Sequence, residues 1–166
     1  MSFQVEGKVV VVTGGSSGIG LAAVEILVAE GAKVAWCGRD EARLAATKIN
    51  ILEKYPHANI YTSICNVLDK EDVKRFAKDV KQNLGNVDML INNAGQGRVS
   101  NFENTQDEDW MKEIELKYFS VLHPVRAFLN DLKDSACGSI TNVNSLLALQ
   151  PEPHMIATSS ARAALL

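Results

Sequence analysis

Residues 8–20 read KVVVVTGGSSGIG, and no other stretch restricts the fold as much. Lys8–Thr13 is β-branched and apolar, without polar alternation, as in a strand covered on both faces of a parallel sheet. Ile19, Ala22, Ala23, Ile26 and Leu27 then recur at helical spacing up to Glu30, and Gly31 supplies a stop. A doubly covered strand that passes through a glycine-rich turn into a helix needs a parallel neighbour reached by a crossover. The rest of the chain should therefore repeat the unit.

It does. Lys33–Cys37 reads as a second strand, and Asp40 as the N-cap of a helix to about Lys54. Asn59–Cys65 reads as a third strand. Asp69 and Asp72 open a third helix with an apolar stripe at Val73, Phe76, Ala77, Val80 and Leu84, closed by Gly85. Val87–Ile91 is a fourth strand. Thr105 and Glu108 predict a capping box for a long helix to about Leu132, bent at Pro124. Ser139–Asn144 is a fifth strand, and a last helix starts near Met155. The alternation predicts one α/β domain over residues 1–166, a doubly wound parallel sheet of Rossmann type with strand order 3-2-1-4-5. Ligands of such sheets lie at the carboxyl ends of the strands, where the order reverses.

Composition narrows the partners. A net charge of −3 gives no support for a nucleic-acid or anionic-membrane surface. The longest aliphatic run, Val9–Val12, is far short of the ~20 residues a membrane helix needs. Cys37, Cys65 and Cys137 are odd in number and lack metal-ligand spacing, so no metal is expected. They read as reduced thiols of a cytoplasmic protein.

The turn after the first strand reads Gly14-Gly15-Ser16-Ser17-Gly18-Ile19-Gly20. Between a strand and a helix, such a turn cradles a pyrophosphate on the free N–H groups and dipole of the helix start. Gly14 allows the turn, Gly18 the approach of the phosphate, and Gly20 the close packing of the helix. The Gly14-x-x-x-Gly18-x-Gly20 spacing resembles the short-chain dehydrogenase/reductase family. So do Asn92-Asn93-Ala94-Gly95 after strand four and Asn142-Val143-Asn144-Ser145 on strand five. The resemblance covers the chain in order and implies a Rossmann fold binding a nicotinamide dinucleotide. It places the cofactor along Gly14, Ser16, Ser17, Gly18, Ile19 and Gly20, then Asn66 and Val67, then Asn93, Ala94 and Gly95.

Position 38, where the family usually has an acid that binds the adenosine ribose and repels a 2′-phosphate, is Gly38. Arg39 follows, and a guanidinium there can clamp a phosphate. NADP(H) is therefore favoured over NAD(H). Asp40 is the rival ribose ligand, although it also reads as a helix cap. After strand three the family usually has an aspartate. Asn66 stands there, and its carbonyl can still accept from an adenine amino group.

The family's catalytic set is asparagine, serine, tyrosine and lysine. Tyrosine is the acid/base, lysine lowers its pKa and holds the nicotinamide ribose, serine orients the substrate oxygen, and asparagine holds a relay water. Ser145 matches the serine. Thr158 stands at the tyrosine position, Arg162 at the lysine position and Lys117 at the asparagine position. Threonine is a far weaker acid than a phenol of pKa ~10. Arg162 does not release a proton at neutral pH, but it can hydrogen-bond ribose hydroxyls. One reading has Lys117 and Arg162 converging near Ser145, with Lys117 tuned into a proton donor and the two cations favouring an anionic substrate. The other has Thr158 as a small helix residue without a role and Lys117 in solvent.

Family members continue past this point with two further strands and a substrate loop. The expectation is a domain incomplete at its C-terminal end, with strand five as an exposed edge. The family's fourth and fifth helices form a dimer interface, which implies a homo-oligomer. Two functions stand open. One is an NADP(H)-dependent oxidoreductase acting on a small carbonyl or alcohol. The other is a pseudoenzyme that binds NADP(H) without turnover.

Overall fold

The computed structural model of the chain describes residues 4–166. Its five-stranded sheet has the order β3-β2-β1-β4-β5, with β1 Val9–Thr13, β2 Lys33–Gly38, β3 Ile60–Ile64, β4 Met89–Asn92 and β5 Ser139–Asn142. Every pairing is parallel, with Val11 opposite Ala35 on one side and Leu90 on the other. The order expected from the sequence is the order found.

β1 is buried at every position, and its side chains alternate between two cores. Val9 and Val11 join Ala35, Phe76, Val80, Phe128 and Leu132 on one face. Val10 and Val12 join Val24, Val34, Trp36, Leu44 and Ile51 on the other. That is why the strand shows no polar alternation: neither face meets water. α1 (Gly18–Ala29) and α2 (Glu41–Lys54) cover the second face, while α3 (Lys70–Leu84) and α5 (Ser120–Asp134) cover the first. Asp40 caps α2 by accepting from Arg43 N, and Asp69 caps α3 by accepting from Glu71 N and Asp72 N. All four residues of β5 are exposed, the open edge that was expected.

The long helix departs from expectation. α4 (Asp107–Ile114) starts after Gln106, and the capping box is not formed. Thr105 instead donates its hydroxyl to Asn101 O and belongs to the preceding turn. α4 passes into α5 through a π-helical turn at Glu115–Phe119. The break in regular geometry thus falls before Pro124, which lies buried within α5. π turns inserted in α-helices gather at functional sites, and this one carries Lys117. α6 (Ile156–Ala163) packs across α4 and carries Thr158 and Arg162.

Candidate active site

The carboxyl ends of the strands and the start of α1 enclose a cleft of about 910 Å³. Gly14, Ser16, Ser17, Gly18, Ile19, Arg39, Asn66, Val67, Asn93, Ala94, Gly95, Ser145 and Arg162 all line it. Gly20, Lys117 and Thr158 stand behind its wall, buried. Cys37, Arg43, Cys65 and Gln96 also line the cleft, although no sequence motif singled them out. Among the described residues no cluster of His, Cys, Asp or Glu is placed to hold a metal.

The glycine turn is held by Asn93. Its Nδ2 donates to Thr13 O and Gly14 O, both at 3.1 Å, while Asn93 N and Ala94 N donate to Thr13 Oγ1. A Cβ on Gly20 would collide with Gly14 O and Asn93 Nδ2, so the glycine allows α1 to press against this joint. Gly18 has φ +53, and a Cβ there would meet nothing within 4 Å. Its open side is the cleft. Ser17, the N-cap of α1, makes no side-chain cap bond, which leaves the first N–H groups of the helix for an anion. These features fit a dinucleotide pyrophosphate.

At the adenosine end, Asp40 serves as cap and pairs with Arg43 at 3.6 Å, while Arg39 is exposed on the cleft rim. A Cβ on Gly38 would lie 2.9 Å from Ser16 Oγ, so an acidic side chain there would need the Ser16 hydroxyl to move. The Asn66 carbonyl expected to face an adenine amino group already accepts from Leu68 N at 3.2 Å. The second lone pair of that carbonyl and the amide NH2 remain to be offered.

Next to Gln96 and Arg162, which line the cleft, lies a buried polar cluster. Lys117, its side chain only 1% exposed, donates to Glu113 Oε2 at 2.9 Å and to Gln96 O. The same Oε2 accepts the Thr158 hydroxyl at 2.6 Å. Thr158 Oγ1 also receives the N–H of Arg98 at 3.4 Å. Arg162 Nη1 donates to Val143 O at 3.0 Å, and Asn144 Nδ2 donates back to Arg162 O at 3.2 Å, so both ends of Arg162 are tied to the segment after β5. Arg162 Nε is buried without a protein partner. Ser145 Oγ accepts from Leu147 N at 3.3 Å.

Two expectations are corrected here. Lys117 is neither in solvent nor on the cleft surface, because Glu113 and Gln96 O hold its ammonium behind the wall. Thr158 is not without a role, because its hydroxyl is committed to Glu113. Burial lowers the Lys117 pKa, Glu113 opposes that, and the charge of Arg162 adds to the lowering. Burial likewise draws the Arg162 guanidinium below its usual value, against a pull from Glu113 in the other direction. Glu113 was missed in the sequence. The available signal was its i,i+4 spacing to Lys117.

Comparison with known proteins places these features in context. The short chain dehydrogenase family model matches residues 8–166. A short chain oxidoreductase of Pseudomonas aeruginosa PAO1, solved with NADPH bound and described as containing an atypical catalytic center, is 55% identical over 95% of this chain and 62% of its own, with a TM-score of 0.94. The L-sorbose reductase of Gluconobacter frateurii, solved with NADPH and L-sorbose, is 30% identical over 99% of this chain and 62% of its own, with a TM-score of 0.93. An uncharacterized oxidoreductase of Staphylococcus saprophyticus is 33% identical over 97% of this chain and 68% of its own length. The chain thus spans about two thirds of the relatives it matches.

Proposed function

The chain belongs to the short chain dehydrogenase family, and on that footing we propose that it is an NADP(H)-dependent oxidoreductase moving a hydride between the nicotinamide cofactor and a carbonyl or alcohol. One observation carries the reading: a single cleft runs from the glycine turn to Ser145 and Arg162. The two NADPH-bound relatives lend it support.

The cofactor supplies or accepts the hydride, and this chain's residues bind it and handle the proton. The N–H groups at the start of α1, with Ser16 and Ser17, take the pyrophosphate. Arg39, with Arg43 beside it, takes the 2′-phosphate, and NAD(H) binds more weakly for want of that contact. Ser145 holds the substrate oxygen, and Arg162 holds the ribose hydroxyls. An ammonium has three N–H bonds. Two from Lys117 go to Gln96 O and Glu113, and we assign the third as the source of the proton, which has to pass through the cleft wall because Lys117 itself does not line the cleft. Glu113 balances Lys117, so Arg162 leaves the wall net positive, which favours a substrate bearing a carboxylate or another anion.

The exposed apolar side chains Met111, Ile114, Tyr118 and Phe119 along the long helix support a homo-oligomer. Among the described residues no helix is long and apolar enough to cross a membrane. The free thiols Cys37, Cys65 and Cys137 fit a cytoplasmic protein. We take residues 1–166 as one dinucleotide-binding domain, of which residues 1–3 lie outside those described.

The test is NADPH oxidation by the full-length protein against a panel of carbonyl compounds weighted to anionic ones, beside calorimetry with NADPH. Binding with turnover is expected. Binding without turnover on any of them would leave a cofactor-binding pseudoenzyme, the reading favoured by a Thr158 hydroxyl that faces Glu113 instead of the cleft. Absence of binding would sink both.

A further inference from the structure

We propose that Glu113 is the positioning residue of this site: one oxygen of its carboxylate clamps the Lys117 ammonium and the Thr158 hydroxyl together and supplies the counter-charge that lets Lys117 and Arg162 stand on one wall. The inference deepens the oxidoreductase reading and rests on it only where activity is the readout.

The geometry separates this pair from an ordinary helix-surface pair. Glu113 and Lys117 sit at i,i+4, a spacing that normally leaves both ends in water. Here the side chains are 4% and 1% exposed, because α6 and the segment around Gln96 close over them. Removing one partner of a buried pair strands the other charge in a poor solvent, so the two residues are coupled. Oε2 accepts from both partners, at 2.9 Å and 2.6 Å, so both donors converge on one atom.

A threonine hydroxyl has one hydrogen. With that hydrogen on Glu113 Oε2 at 2.6 Å, the nearer of its two acceptors, the other being Arg98 O at 3.2 Å, Thr158 is a strut between α6 and α4, not a donor to the cleft. Arg162 lies one turn further along α6, so the strut also sets where its guanidinium stands. Glu113 thus acts directly on Lys117 and Thr158, and on Arg162 through α6.

The charged groups acting on Lys117 are Glu113 from α4 and Arg162 from α6. Burial and Arg162 both favour the neutral amine, and Glu113 is the group that opposes them. On its other side Glu113 lines a separate cavity of about 170 Å³ with Arg98, Asn101 and Asp109. There Arg98 pairs with Asp109 at 2.8 Å, so those two charges are already matched to each other.

The experiment is Glu113→Gln in the full-length protein, a change that keeps the shape and removes the charge. Lys117 is titrated by NMR of its 13Cε–15Nζ group without cofactor, and NADPH oxidation is followed against pH. The Lys117 titration is expected to fall by about one pH unit or more, a tenfold loss of proton affinity. The alkaline limb of the rate profile should move with it, while the dissociation constant for NADPH stays within about threefold of the parent. An unchanged Lys117 titration overturns the proposal whatever the activity. A parent without turnover whose Lys117 titration still shifts in the variant upholds Glu113 and fells the oxidoreductase reading instead. Should Glu113→Gln not fold, Glu113→Gln combined with Lys117→Met removes both charges and is expected to recover the parental Tm to within a few degrees. A double variant no more stable than the single one overturns the coupling.

Discussion

Thr158 Oγ1 and Glu113 Oε2 lie 2.6 Å apart, a short charge-assisted hydrogen bond between α6 and α4 in a region where Thr158 is 1% exposed. Thr158→Val keeps the volume and removes the donor, leaving a carboxylate oxygen short of a partner. We expect a stability loss on the order of 1–3 kcal/mol, seen as a fall in Tm of several degrees, with NADPH affinity little changed. Thr158→Ser should recover most of the loss. A valine variant as stable as the parent would show that the bond carries no weight.

We propose that Arg39 and Gly38 govern cofactor choice. Arg39→Ala should weaken NADPH binding about tenfold, equivalent to ~1.4 kcal/mol, and leave NADH binding unchanged. Raising salt should narrow the parental preference, because Arg39 is exposed. Calorimetry that finds equal affinity for the two cofactors in the parent would remove this assignment.

Two glycines in one turn should fail in different ways. Gly18→Val points a side chain into open cleft, so the fold survives with a penalty of about 1–2 kcal/mol for its positive φ, and NADPH binding is lost. Gly20→Ala meets Gly14 O and the Asn93 amide, so stability falls by ~1–3 kcal/mol or more. Far-ultraviolet circular dichroism and calorimetry separate the two outcomes. A Gly18→Val protein that binds NADPH normally would mean the cradle lies elsewhere.

Acid stability should depend on Asp88. Its Oδ2 accepts from Val9 N at 2.9 Å and its Oδ1 from the Ser135 hydroxyl at 2.6 Å, joining the start of β1 to the end of α5. Burial alone would raise its pKa. The Ser135 and Val9 bonds, with the charge of Lys8, outweigh burial and hold it below the usual 3.8. A carboxyl lowered in the fold stabilises at pH values above its unfolded pKa, and the contribution disappears as pH falls through the folded one. Urea midpoints from about pH 6 down to about pH 2.5 should therefore drop more steeply in the parent than in Asp88→Asn, which starts lower. Parallel curves would exclude Asp88 as a source of the acid limb.

What could be read from the chain beforehand follows from physical locality. The Val9–Val12 run could only be doubly covered, and the glycine turn could only join such a strand to a helix, so the sheet order and most of the cleft were legible. Asp40 and Asp69 announced their caps because capping is settled within three residues. Thr105 misled for the complementary reason: its hydroxyl turns back to Asn101, a choice made by the loop and invisible in a four-residue pattern. The π turn at Glu115–Phe119 has no marker of its own in the sequence. Glu113 was in plain view four residues before Lys117. Nothing local says, however, that α6 will cover the pair and turn a weak surface contact into a strong buried one.

Because Lys117 and Thr158 share one oxygen of Glu113, the substitutions that set this chain apart from its family are not independent characters. Lys117→Asn alone would leave the carboxylate buried and unbalanced. Thr158→Tyr alone would push a ring into the space where the strut now closes on α4. Either step back toward the common catalytic set is expected to cost stability first, so the two positions should respond to substitution as one coupled unit.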